Sequence, residues 1–328
     1  MTGTPLMWSL FAAFVFVALC VDFFALQKQG AHHVTIKEAA IWSVIWVTVS
    51  FLFVGWMWWH LGGTNADPAL RAVANDKSLE FITGYFVEKA LAVDNIFVFL
   101  MLFTYFAVPA DYQKRVLMIG ILGALVLRAL MIFVGAWAIS RFHWILYVFG
   151  VFLVLTRIKM WWAAGQEPDL DSNPALKWIR KHMRIAPHYN GERMTTIVDG
   201  VRMATPLAVV VLLIGIVDVI FAVDSIPAIF AITTNTFIVY TSNVFAILGL
   251  RSMYFLLAGV VEKFRYLRFG LAIVLTFIGV KMLLVAVGLH IPIKFSLAFV
   301  AVVLIGSVVA SLLAAPKEEP QVFTERAD

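Results

Sequence analysis

Nine apolar stretches dominate the chain, and each is long enough to cross a lipid bilayer as a helix. A membrane-spanning helix needs about 20 mostly apolar residues, and lipid leaves no other partner for its backbone than the helix itself. The predicted spans are residues 6–26, 38–60, 79–107, 115–138, 143–163, 205–232, 236–260, 267–288 and 292–314. We therefore predict an all-α, polytopic membrane protein whose transmembrane domain covers residues 1–315.

Composition agrees with a membrane protein. Of the 328 residues, 62% are hydrophobic and 14% are charged, whereas a soluble domain is about half apolar and a quarter charged. The N-terminus lacks the basic start and cleavage site of a secretory signal, so the first stretch is expected to remain as a span. The only cysteine, Cys20, permits no intrachain disulfide. The seven histidines show no HExxH spacing, which argues against a zinc hydrolase.

Lysine and arginine are distributed unevenly between the two sides of this topology. One side receives fifteen of them, six in the long connection 164–204, and the other side receives four. Because positive residues concentrate in cytoplasmic loops, we predict an external N-terminus, a cytoplasmic basic loop at 164–204 and a disordered cytoplasmic tail at 316–328. The net charge of +5 is then an orientation signal and predicts no nucleic-acid partner.

Part of the basic loop, PALKWIRKHMRI (174–185), has the pattern of a short basic helix. Leu176, Trp178, Ile179 and Met183 are its apolar residues, and they are typical of a helix anchored on an anionic lipid surface. The alternative is a solvated loop that only follows the distribution of positive charge.

Two acidic segments of the chain resemble each other. LAVDNIF (91–97) matches FAVDSIP (221–227), and at the same offset Glu88 aligns with Asp218. The matches continue in order through the two segments that follow: LRALMIF (127–133) with LRSMYFL (250–256), and IKM (158–160) with VKM (280–282).

Each half of the repeat is a unit of three spans, at residues 79–163 and 205–288. The first span of one unit would run from outside to inside, and the first span of the other from inside to outside, so the repeat is inverted. Inverted repeats with a substrate site between them are characteristic of secondary transporters. Chance similarity between apolar segments is the alternative.

Charged side chains inside a span are costly and usually mark a function or a charge pair. The acidic candidates are Glu88, Asp94, Asp218, Asp224 and, as an accessory, Asp22, and the basic candidates are Arg128, Arg251 and Lys281. Asn95 shares a helical face with Glu88, as Ser225 does with Asp218, because both pairs are seven residues apart. A local helix break in each repeat would turn all four acids inward. Pro227 favours such a break after Asp224; in the first repeat nothing equivalent follows Asp94, although Gly84 precedes it.

Carboxylate, amide and hydroxyl groups are hard oxygen donors that suit Mn²⁺, Mg²⁺ or Ca²⁺. We predict a divalent cation as transported substrate, the basic residues as counter-charges of the empty site, and no tightly bound cofactor. Alternatively, the charges only form salt bridges that fix helix packing. The sequence disfavours an intramembrane aspartyl protease, because AVDN and AVDS stand where that enzyme has YD and GxGD motifs, and no enzyme is predicted. Proton coupling through the same carboxylates is compatible with metal transport.

Three long segments resemble the TerC family of integral membrane proteins, and within it the branch called Alx. They are EKALAVDNIFVFLMLF (88–103), DVIFAVDSIPAIFAIT (218–233) and TSNVFAILGLRSMYFLLAGVVEKF (241–264). The resemblance implies a bacterial inner-membrane protein associated with tellurium resistance, redox modulation and, in several members, manganese export. Its acidic motif residues correspond to Glu88, Asp94, Asn95, Asp218, Asp224 and Ser225. Where members often carry glutamate and a small polar residue, this chain has Gly215 and Val217, so its second half-site is expected to offer fewer oxygen ligands.

These observations predict an Mn²⁺ exporter in which Asp94 and Asp224 are the central ligands. A non-transporting membrane protein, acting in redox or tellurium stress through protein partners, is the alternative. Lipid is an expected partner in both cases, and a homo-oligomer is compatible with both.

Overall fold

The computed structural model describes residues 2–29, 35–142, 144–162, 174–198, 200–258, 266–286, 288–289 and 291–314. The described chain forms eleven helices and one two-stranded antiparallel sheet. The helices are α1 (Pro5–Gln29), α2 (Ile36–His60), α3 (Pro68–Tyr105), α4 (Ala110–Arg141), α5 (Ile145–Trp162), α6 (Pro174–His182), α7 (Pro206–Phe230), α8 (Thr236–Leu248), α9 (Leu250–Leu257), α10 (Leu267–Ala286) and α11 (Ile293–Leu313). The strands are β1 (Thr195–Val198) and β2 (Val201–Ala204).

Each predicted span falls on one helix or, for residues 236–260, on the pair α8 and α9. By length and apolar composition, four described helices can cross a membrane (α2, α4, α7 and α11), and the bent pair makes a fifth. The apolar described parts of α1, α5 and α10 are shorter than a full span. The helical membrane fold is thus confirmed, whereas the count of nine spans stays a prediction.

The outer surface of the bundle is apolar. Phe16, Val126 and Val302 expose 69%, 70% and 70% of their surface, and many other large apolar side chains are exposed along the same helices. Such a surface would aggregate in water but is stable against lipid tails. The largest buried cluster joins α1, α2, α3, α4, α7 and α8, with Phe53 and Phe245 in ring contact at 4.8 Å.

Polar caps fix where α3 and α7 begin. The Asp67 carboxylate accepts a hydrogen bond from the backbone N–H of Ala69, and the Thr205 hydroxyl accepts one from that of Ala208. Proline follows each cap directly, at a position where the helix needs no backbone donor. The start of each acidic helix, and therefore the depth of its carboxylates, is set by local sequence.

The predicted break beside the acidic motifs does not occur. α3 is continuous for 38 residues through Glu88 and Asp94, and α7 is continuous through Asp224. Pro227 lies in the last turn of α7, where a missing N–H disturbs little of the remaining helix. The break lies instead at Gly249, where α8 and α9 are bent by 42°.

Packing between the two units is reciprocal. α3 of the first unit packs on α8 of the second, α7 of the second packs on α4 of the first, and α5 packs along α10. Contacts at the helix ends show that α3 and α7 run in opposite directions. Thr233, after α7, donates to Glu80 in the first half of α3 (2.6 Å), whereas Tyr189, before α7, donates to the Phe106 carbonyl after α3 (2.6 Å). The two units are therefore inverted with respect to each other.

The described part of the basic loop is folded, and two of the four predicted lipid anchors are buried in the protein instead. Leu176 and Ile179 of α6 are buried in the protein, because their three-residue spacing puts them on one helical face. Trp178 remains 58% exposed. β1 and β2 form a hairpin after α6, and Arg115 pairs with Glu192 at 2.7 Å. The loop is thereby tied to the bundle. The predicted disordered tail lies outside the described residues.

Candidate functional site

A single guanidinium, that of Arg128, joins both repeat units inside the bundle. Arg128 lies on α4 and is 2% exposed. Its Nη2 donates to Oδ1 of Asp218 at 3.1 Å and its Nε to Oδ2 at 3.4 Å, which is a two-point contact. Its Nη1 donates to Oε1 of Glu88 on α3. The two acids that the repeat aligns with each other thus share one arginine.

Two weaker contacts complete the surroundings of the guanidinium. Nη1 is 3.5 Å from the Ser225 hydroxyl of α7 and 3.4 Å from Oδ1 of Asn243 on α8. Four helices therefore converge on one planar cation whose donors point in fixed directions. Of the predicted site residues, the structure brings together Glu88, Asp218, Ser225 and Arg128.

Burial makes the charges of this cluster interdependent. Glu88 is fully buried and Asp218 is 3% exposed. Removing one partner from a buried charge pair typically costs about 3–5 kcal/mol, because the other charge is left without compensation. Two carboxylates and one guanidinium carry a net charge of −1, so the described cluster is suited to a second positive charge.

Two buried oxygen atoms of α3, one in the cluster and one two helical turns further along, have no hydrogen-bond partner among the described residues. They are Oε2 of Glu88 and Oδ1 of Asn95, and Asn95 is 2% exposed on the same helix. Buried polar atoms in native proteins nearly always have a partner. A carboxylate oxygen and an amide oxygen left over at the contact of two repeat units are suitable ligands for a hard cation.

The other predicted acids lie on the expected helices. Asp94 is on α3, Asp224 on α7 and Asp22 on α1, but their side chains are outside the described part of the structure. Among the side chains that are described, no three of histidine, cysteine, aspartate or glutamate come together as a metal group. The roles of Asp94 and Asp224 as central ligands remain predictions.

The three predicted counter-charges separate in the structure. Arg128 lies in the cluster, but Lys281 on α10 donates to the Ser296 hydroxyl at 3.0 Å, with Glu80 as an acidic neighbour. Arg251 lies beyond the bend at Gly249 and close enough to Lys114 for their charges to interact. Of the three, Arg128 is the one whose described contacts reach the carboxylate cluster.

Asn243 is a member of the cluster that the repeat alignment missed. It ends a run of three fully buried polar residues, Thr241 to Asn243, in an otherwise apolar helix. That run is the signal in the sequence, since polar groups inside a span are retained for hydrogen bonding or function. Nδ2 of Asn243 has no partner among the described residues.

Gly84 brings α8 close enough for Asn243 to reach the cluster. A Cβ on Gly84 would lie 3.0 Å from Oγ of Ser242, which is tighter than normal packing allows. Gly84 therefore allows close packing of two helices, and α3 continues through it without a break.

Replacing Gly84 with valine is expected to push α3 and α8 apart and to destabilise the protein by about 1–3 kcal/mol, the usual cost of overpacking. Gly123→Val is the matched control, because a Cβ there meets nothing within 4 Å. Thermal unfolding in detergent measures both variants. Equal unfolding midpoints for the two would contradict close packing at Gly84.

Known proteins are similar to this chain along nearly its whole length. The family model described as "Integral membrane protein TerC family" matches residues 73–319. A protein of Escherichia coli strain K12 named "Putative membrane-bound redox modulator Alx" is 53% identical over 303 residues, 92% of this chain and 93% of its own length. An "Uncharacterized membrane protein STKORF319" of Myxococcus xanthus is 45% identical over 311 residues, 95% of this chain and 93% of its own length.

A more distant relative, an "Uncharacterized membrane protein" of Rickettsia bellii, is 35% identical over 93% of this chain and 97% of its own length. No solved structure matches the chain. The similarity extends across both repeat units and includes the helices that carry the arginine cluster. The chain is therefore a multi-pass membrane protein that belongs to the TerC family.

Proposed function

We propose that the protein is a secondary transporter that exports Mn²⁺, or a similar divalent cation, across the bacterial inner membrane. The observation that supports this most is the buried cluster of Glu88, Asp218 and Arg128 at the contact of two inverted units. Substrate sites of inverted-repeat transporters lie at such a contact. Oxygen ligands without thiolates favour Mn²⁺, Mg²⁺ or Ca²⁺ over copper or structural zinc.

Arg128 acts as the counter-charge of the cation-free protein. Its guanidinium pairs with the carboxylates of Glu88 and Asp218, and a divalent cation would compete with it for the same carboxylates. A cation that binds Oε2 of Glu88 weakens the hold of the guanidinium on this carboxylate, and with it the link that Arg128 makes between the two units. Binding thereby favours a rearrangement between units, which is what alternating access requires.

Asp94 and Asp224 supply the remaining negative charge in this proposal. With both ionised, the cluster has four carboxylates and one guanidinium, and a bound divalent cation leaves a net charge of −1. Ser225 and Asn95 add neutral oxygen atoms, and Asp22 is an accessory ligand. The distribution of lysine and arginine gives the orientation of the protein, with the loop 164–204 on the cytoplasmic side.

Equilibrium binding tests the site without assuming transport. Free Mn²⁺ is measured by its electron paramagnetic resonance signal as the purified protein is titrated in detergent. We expect saturable binding in the wild type that weakens about tenfold or more in Glu88→Gln, by loss of a charged ligand. Binding that is absent in the wild type, or equal in both proteins, would contradict the assigned site.

A non-transporting role in redox or tellurium stress is a second candidate, supported by the name of the Escherichia coli relative. Cys20 is the only cysteine in the chain, so thiol–disulfide exchange would depend on a partner. The exposed Lys177, Trp178 and Lys181 of α6 offer a basic surface for that partner. Under this candidate, the variants Asp94→Asn and Asp224→Asn keep full function. Under the transporter proposal, both variants lose function.

A further inference from the structure

Lys89 directly follows Glu88 on α3 but contacts a different neighbour. One residue turns the helix by about 100°, so the two side chains leave α3 on different faces. Glu88 pairs with Arg128, whereas Nζ of Lys89 donates to the backbone carbonyl of Ala246 on α8 at 3.2 Å. The same ammonium is 6.0 Å from the centre of the Tyr85 ring. Lys89 is thus directed toward the second unit, away from the carboxylates.

The carbonyl that Lys89 contacts lies at the break between α8 and α9. Ala246 is in the last turn of α8, where carbonyls lose their partners because the chain bends by 42° at Gly249. A positive charge is favourable at the C-terminal end of a helix. The lysine therefore supplies a donor and a charge that the bent backbone cannot supply itself.

Gly249 leaves the space in which the Lys89 ammonium lies. A Cβ on residue 249 would lie 2.8 Å from Nζ of Lys89 and 3.1 Å from Cβ of Trp46. A side chain at residue 249 would therefore displace the ammonium from the Ala246 carbonyl and press on Trp46.

We propose that Lys89 is a positioning residue that holds the α8–α9 bend and sets the rate of the conformational step in transport. Two consecutive residues of α3 contact different helices: Glu88 contacts α4, and Lys89 contacts α8. A movement of α3 on cation binding would therefore also move the lysine that supports the bend. The effect on transport rests on the proposed function, whereas the effect on the bend does not.

Amide hydrogen exchange tests the bend in metal-free protein. In Lys89→Met, which keeps the length of the side chain, we expect the amides of residues 249–253 to exchange about tenfold faster, because local opening becomes easier. Gly249→Ala should have the same effect while the lysine is retained. Lys281→Met, which removes a buried ammonium that donates to Ser296 of α11, should leave these amides unchanged.

Mn²⁺ flux into proteoliposomes tests whether Lys89 sets the rate of the conformational step. We expect Lys89→Met to lower the maximal rate about tenfold, with the KM for Mn²⁺ within about threefold of the wild type, and Lys89→Arg to restore most of the rate, because a donor to Ala246 is regained. A raised KM with an unchanged maximal rate would instead make Lys89 part of the cation site and overturn the proposal.

The two experiments separate this inference from the proposed function. If the wild type shows no flux, the proposed function fails and the rate effect fails with it, while hydrogen exchange still decides whether Lys89 holds the bend. Unchanged exchange in both Lys89→Met and Gly249→Ala overturns the inference even when the wild type transports Mn²⁺.

Discussion

Replacing Arg128 with methionine is expected to destabilise the protein by about 3–5 kcal/mol, the usual cost of leaving buried charges without their partner. The arginine is the shared partner of Glu88 and Asp218, and all three are nearly inaccessible to solvent. Its loss leaves two carboxylates facing each other in an apolar interior. Unfolding of the purified protein, followed by tryptophan fluorescence in detergent, measures the effect.

A triple variant provides the control for this prediction. Arg128→Met combined with Glu88→Gln and Asp218→Asn removes all three charges and keeps similar side-chain volumes. Neutral replacement of a buried charge group is often harmless to stability, so the triple variant should recover most of the loss. A triple variant as unstable as the single one would show that packing of the arginine, and not its charge, holds the cluster together.

Replacing Asp94 or Asp224 with asparagine is expected to reduce Mn²⁺ flux about 100-fold or more. Loss of groups that only orient metal ligands already costs about 10–100-fold in affinity or activity, and loss of a charged ligand should cost more. Asparagine keeps the shape of aspartate and removes its charge. The initial rate of flux into proteoliposomes, at Mn²⁺ concentrations below saturation, is the measurement.

Asp111→Asn is the matched control for these two variants. Asp111 is an exposed residue in the first turn of α4, away from the arginine cluster, and its loss should leave the flux unchanged. If Asp94→Asn and Asp224→Asn transport as fast as the wild type, the assignment of these residues as ligands is wrong while transport itself stands.

Much of the cluster could be predicted from sequence because the repeat fixes its members. Charged residues that recur in the same order in two apolar segments cannot all be lipid-facing, so Glu88, Asp218 and Ser225 were identifiable, and Arg128 was identifiable as their counter-charge. The inverted arrangement followed from the odd number of spans, three, in each unit. The described helix contacts now support both inferences.

Other features depend on contacts between helices that a linear pattern does not encode. Asn243 reaches Arg128 only because α8 packs closely on α3. The bend at Gly249 involves no proline, and Pro227, which suggested a break, is tolerated in the last turn of α7. Arg251 follows the bend on α9, whereas its match in the repeat, Arg128, lies within the unbroken helix α4.

Uptake of Mn²⁺ by inverted membrane vesicles tests export most directly, because export from the cell becomes accumulation in these vesicles. Vesicles that contain the wild-type protein should accumulate Mn²⁺ faster than vesicles without it, and right-side-out vesicles should not. Equal accumulation with and without the protein, in an energised membrane over a range of Mn²⁺ concentrations, would contradict the transporter.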